Sequence, residues 1–181
     1  MTGYLVLVAR FLVGAVLAVS IATKVGGRTA FPDFLGWLRE LTVVPHRYVR
    51  TVGVAMLTTE TAALVLLVPT ATSVAGLTLA AVTIAGFAGS IAWLSRRGVS
   101  VPCRCFGVST RPMGRAEVIR NVLLSLLAGA AAVAAPAARQ PELAQPETLL
   151  AALFGGAVAL FVIRLDDVLE LFAPRHWKVR D

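Results

Sequence analysis

Charge is what this 181-residue chain has least of. Asp, Glu, Lys and Arg together make up 15% of it, against about 25% in an ordinary soluble domain. A soluble enzyme of this size is excluded, because its surface would be short of charge. Histidine and cysteine are scarce too, at two each. His46 and His176 lie far apart in the sequence, each at the edge of an apolar run, and read as interfacial residues, not as a metal pair. There is no P-loop, no GxGxxG, no HExxH and no repeat of fixed period, which removes the common nucleotide and metalloprotease chemistries. The first apolar run lacks a basic region before it and reads as a retained span rather than a cleaved leader.

What is present is apolar. Hydrophobic residues make up 57% of the chain, and the mean hydropathy is +0.80. Disorder is excluded by the length of the apolar runs. A helix needs roughly 20 such residues to cross a bilayer. Five runs qualify: 4–23, 48–68, 71–94, 118–136 and a shorter one at 149–165. They predict an all-α polytopic bundle forming a single domain over 1–181, with four core helices and a fifth C-terminal segment. Pro69-Thr70 leaves almost nothing between the second and third runs, so these form a tight helical hairpin. Between the first two runs, residues 30–43 interleave Phe31, Phe34, Leu35, Trp37, Leu38 and Leu41 with Asp33, Arg39 and Glu40, as in an amphipathic helix at the interface. A loop packed on the bundle is the alternative there.

The net charge of +7 would suggest nucleic acid in a soluble protein, but here nucleic acid is not expected. The cations fall between the apolar runs and act as topology signals. With five spans, all but two of the 17 Lys and Arg lie on one side; Arg139 lies opposite and Arg10 lies within the first span. The positive-inside rule puts that side in the cytoplasm and the N-terminus outside.

Arg10 and Glu60 are the charges deepest in their runs. Lys24 follows Arg10 by about 21 Å of helix and Arg47 precedes Glu60 by about 20 Å. If Lys24 and Arg47 both mark the membrane surface, Arg10 and Glu60 sit at one depth on adjacent antiparallel helices. An ion pair between them is one expectation; a polar pocket for a headgroup, a quinone or a proton is the other.

Cys103 and Cys105 stand in Val101-Pro102-Cys103-Arg104-Cys105-Phe106-Gly107, between the third and fourth runs. A disulfide between thiols one residue apart closes a small strained ring, and strained disulfides exchange readily. Arg104 lies between the thiols, and Arg96, Arg97 and Arg111 are near in sequence; such positive charge favours the nucleophilic thiolate. Thr110, Pro112 and Glu117 mark a helix start just beyond, which adds to that effect. Cys105, nearer that helix, is expected to be the stronger nucleophile. A redox pair, a structural pair and a soft-metal site for Cu(I) all fit these residues. Zinc does not, since the nearest further sulfur is Met113.

In this order the residues resemble the methylamine utilisation MauE family, related to the DoxX-like membrane proteins. Arg10 lies in the first span, Thr23-Lys24 closes it, Glu60 stands in the second as Thr-Glu-Thr, and the Cys103-Arg104-Cys105-Phe106-Gly107 box follows the third. Arg120-Asn121 opens the fourth. The resemblance covers roughly residues 4–136. It implies a multi-pass protein of thiol–disulfide chemistry, and its namesake looks like a maturation factor for the disulfide-rich small subunit of methylamine dehydrogenase that works with a thioredoxin-like partner. The arrangement is also similar to vitamin K epoxide reductase-like and DsbB-like oxidoreductases, which points to quinone as a cofactor. This chain departs from those in having Cys-x-Cys and no second cysteine pair in the first connection.

The expectation is therefore a protein of the plasma or inner membrane that exchanges disulfides through Cys103 and Cys105 with a thioredoxin-like or client protein. Arg104 would activate the thiols, and Arg10, Lys24, Glu60, Arg120 and Asn121 would form the supporting polar framework. No metal is expected. The alternatives are a non-catalytic subunit of a larger membrane complex, packed through the small-residue faces at Gly86, Gly89 and 129–135, and a carrier of a soft metal or small solute.

Overall fold

A computed structural model describes residues 2–40, 44–98, 115–138 and 146–172, the last seven of these as backbone only. The cysteine box and residues 173–181, with His176, lie outside the described residues. Among the described residues six α-helices follow in order: α1 (Thr2–Val25), α2 (Ala30–Glu40), α3 (Val49–Leu67), α4 (Ser73–Arg96), α5 (Arg115–Ala134) and α6 (Pro146–Phe172). All except α2 belong to helical stretches long and apolar enough to cross a membrane. The chain is thus an all-helical polytopic bundle, as its apolar runs predict.

Each helix has a buried stripe at three- and four-residue spacing. On α1 this runs through Val6, Arg10, Val13, Leu17, Ser20 and Lys24; on α3 it runs through Gly53, Glu60, Ala63 and Leu67. That spacing keeps one face of an α-helix toward its neighbours. The main core joins α1, α3, α4, α5 and α6 around Val13, Val16, Ala63, Leu77, Ala80, Ala128 and Ala159. The outward residues are apolar as well, with Leu5, Val65, Val82, Leu126, Val133, Leu153 and Phe161 exposed. A helix apolar on both faces is solvated by lipid outside and by protein inside.

Two close approaches depend on glycine. A Cβ at Gly76 would stand 2.8 Å from the backbone nitrogen of Leu67, so α3 and α4 meet backbone to backbone just after their turn. A Cβ at Gly155 would stand 2.9 Å from the Val8 carbonyl oxygen on α1. The glycines of the small-residue faces stand clear of the chain's own helices. Gly86, Gly89 and Gly129 face open space, while Ala128, Ala131, Ala132 and Ala135 are buried in the protein's own core.

The segment after α1 is a helix, and it does not lie free. Phe34, Trp37 and Leu38 of α2 are buried against Val49 of α3 and Ile91 and Leu94 of α4. This second core closes one end of the bundle, where α1 and α4 finish and α3 and α5 begin. We call it the basic end. The two chain ends that flank the cysteine box, Gly98 and Arg115, both belong to it.

Candidate functional site

The polar interior is built on the α1 stripe. Lys24 Nζ donates to both carboxylate oxygens of Glu60, at 2.8 Å each, and to Ser20 Oγ at 2.7 Å. Ser20 Oγ in turn donates to Glu60 Oε1 at 3.2 Å. Lys24 and Glu60 are only 2% and 1% exposed. Ser20 stands four residues before Lys24, one turn back on the same face, and a helical side chain leans toward the helix N-terminus. The ammonium is therefore drawn down into the bundle and not out to the surface.

Aromatic rings complete its surroundings. The Phe34 ring centroid lies 5.5 Å from Lys24 Nζ and that of Phe87 lies 5.9 Å away. The ring faces of α2 and α4 thus attend a cation whose three protons go to oxygen on α1 and α3. Four helices meet at one ammonium. Such a charge is tolerable away from water only because it is paired and hydrogen-bonded throughout.

This arrangement corrects the expected pairing of Arg10 with Glu60. Lys24 is no surface marker, so the depth estimate built on it slips. Ser20 faces Glu60, and ten residues earlier Arg10 faces the α3–α4 turn, about 15 Å along the helix. There Arg10 donates from Nε to the Leu67 carbonyl and from Nη2 to the Val68 carbonyl. Its Nη1 lies 3.4 Å from Thr70 Oγ1. The last carbonyls of a helix have no partners within it and carry the negative end of the helix dipole. Arg10 is the external cap of α3.

Arg120 and Asn121 belong to another helix of the interior, α5. Glu117, Arg120 and Asn121 occupy the first two turns of α5 and are all buried. Asn121 Nδ2 finds no acceptor among the described residues. Ser125 Oγ donates to the Ala81 carbonyl at 2.9 Å, which fixes the register of α5 on α4. Counted from that bond, Asn121 lies level with Ala85, a half-turn from Phe87. The buried polar turn of α5 and the Lys24–Glu60 pair are thus both in the basic half of the bundle.

Several of these residues escape a sequence reading. Ser20 could be found from its spacing to Lys24. Glu117 reads as a helix-start signal and is buried instead. Phe34 and Phe87 carry no signal beyond being apolar. Of the expected site residues, Cys103, Arg104 and Cys105 lie outside the described residues. Among the described residues no cluster of His, Cys, Asp and Glu could hold a metal ion.

Compared with known families, the chain matches the family model described as methylamine utilisation protein MauE over residues 2–134. That match begins with α1 and ends with the last residue of α5, leaving α6 outside it. No curated protein and no solved structure matches the chain.

Proposed function

This chain belongs to the MauE family, a family of membrane proteins of methylamine utilisation, and on that premise we propose that it exchanges disulfides with a thioredoxin-like or client protein through Cys103 and Cys105. The observation that carries this is the placement of the only two cysteines in one Cys-x-Cys within the matched region. A ring that small favours exchange over permanence. The chemistry is two-electron and balanced. A disulfide between Cys103 and Cys105 is attacked by a thiolate of the partner, a mixed disulfide forms, and the partner's second thiol releases the reduced pair as the partner becomes oxidised.

The rest of the chain supports the site. Both helices that flank the box end in the basic half of the bundle, where α2 seals the Lys24–Glu60 pair. That buried pair and the Arg10 cap hold α1, α3 and α4 in fixed register, giving the box a rigid base. Arg104 favours the thiolate. The charge bias supports a cytoplasmic position for the box, at the plasma or inner membrane. Quinone would accept electrons only if a partner supplies the relay that a second cysteine pair provides elsewhere.

Single variants Cys103→Ser and Cys105→Ser, expressed in the native membrane and quenched with acid, test this. One of them should accumulate a mixed disulfide with a partner identifiable by mass spectrometry. No trapped species with either variant, together with full function of the double variant, would leave the reading of a non-catalytic subunit in its place.

A further inference from the structure

The basic end carries four arginines that the bundle itself does not use. Arg47 precedes α3, Arg50 lies in its first turn, and Arg96 and Arg97 finish α4. All four are exposed. Among the described residues none of them enters an ion pair, although the exposed acids Asp33 and Glu40 of α2 lie at the same end.

The hairpin of α3 and α4 brings them to one depth at the same end of the bundle. The contact of Gly76 with Leu67 sets its register, which brings the start of α3 level with the end of α4. The packing of Val49 with Ile91 and Leu94 confirms that adjacency.

Two of the guanidiniums are held against rings. Arg97 Cζ lies 4.0 Å from the Trp93 centroid and Arg47 Cζ lies 4.7 Å from that of Tyr48. Trp93 and Tyr48 are themselves exposed, at 42% and 48%. A guanidinium stacked on a ring gives the ring its face and keeps its N–H fork for an anion, and that fork matches the oxygens of a phosphate.

The surface below the arginines is apolar. On α4 the stripe that carries Arg97 and Trp93 continues through Gly89, Gly86 and Val82, all exposed, and neither glycine has a neighbour over it. On α3 Val54 lies one turn below Arg50 and is exposed. Trp and Tyr sit at headgroup depth in membrane proteins. The surface therefore offers cations for a phosphate, rings at the boundary and a smooth track for acyl chains.

We propose that Arg47, Arg50, Arg96 and Arg97, with Tyr48 and Trp93, form a binding site for the headgroup of an anionic phospholipid. The site selects net negative charge because four exposed cations share this end of the α3–α4 hairpin and none of them is in an ion pair among the described residues, so a zwitterionic headgroup brings a repelled ammonium along with its phosphate.

The test uses the purified full chain in a neutral detergent, where membrane orientation plays no part. Binding of dioctanoyl phosphatidylglycerol and of dioctanoyl phosphatidylcholine is measured by native mass spectrometry. The first should bind at least about tenfold more tightly, and Arg47→Gln/Arg97→Gln should lose about that factor, as expected for two cations near an anionic surface. Arg47→Lys/Arg97→Lys keeps the charge and loses the fork, and should fall between. These side chains are exposed, so helicity by circular dichroism should be unchanged in every variant. Equal binding of the two lipids overturns the proposal, as does an unchanged affinity in the glutamine variant. Displacement of the lipid by inorganic phosphate at equal concentration would assign the arginines to a free anion and overturn it too.

Discussion

Lys24 Nζ lies 2.8 Å from each carboxylate oxygen of Glu60, and both side chains are almost wholly buried. Breaking such a pair strands a charge, whereas replacing both members with apolar residues does not. Glu60→Gln and Lys24→Met should each destabilise the bundle by about 3–5 kcal/mol, and Lys24→Met/Glu60→Leu should recover most of that loss. Unfolding in micelles, followed by circular dichroism, measures it. Additive losses in the double variant would show that the two residues act separately.

Arg10 spans a different gap. It supplies the Leu67 and Val68 carbonyls that α3 leaves unpaired. Arg10→Ala should cost about 1.5–3 kcal/mol, the usual range for hydrogen bonds to a charged group. Thr70→Val should cost less than about 1 kcal/mol, because its 3.4 Å contact is marginal. The same unfolding assay distinguishes these, and equal losses would contradict the capping role.

The helical hairpin of α3 and α4 depends on Gly76. Gly76→Ala places a methyl against the Leu67 backbone, and such overpacking should destabilise by about 1–3 kcal/mol. Gly86→Ala is the control. It adds a methyl to open space within the same helix and should stabilise by about 0.5–1 kcal/mol, since glycine weakens a helix interior.

The architecture was legible in the sequence because burial in lipid demands long apolar runs, and these leave an unmistakable pattern. The hairpin followed from Pro69 and Thr70 for the same reason. The pairing of charges was not legible. Lys24 ends an apolar run, and a lysine there ordinarily reaches outward to the interface. Here it turns back, because Ser20 one turn below and Glu60 across the bundle offer oxygen. Neither that choice nor the ring faces of Phe34 and Phe87 can be read without the register of α1 on α3. The close approach within the chain was not legible either. Gly86 and Gly89 show small-residue spacing, yet the close approach falls at Gly76, where no local pattern marks it.

The side of the membrane is tested by labelling. Cys103 and Cys105 are the only thiols, so a membrane-impermeant maleimide applied to intact cells reports on the box alone. The charge bias predicts labelling only after permeabilisation. Labelling of intact cells would place the box outside and turn the surrounding arginines from topology signals into groups that serve the thiols.

The central claim is that Cys103 and Cys105 form a working dithiol–disulfide couple. The purified full chain can be equilibrated in glutathione buffers from about −300 to about −150 mV, a range that brackets known thiol oxidoreductases, then quenched, alkylated and weighed. The two cysteines should pass together, reversibly and within one monomer, from two alkylated thiols to none. Two alkylatable thiols at every potential, or oxidation only between molecules, would contradict the account.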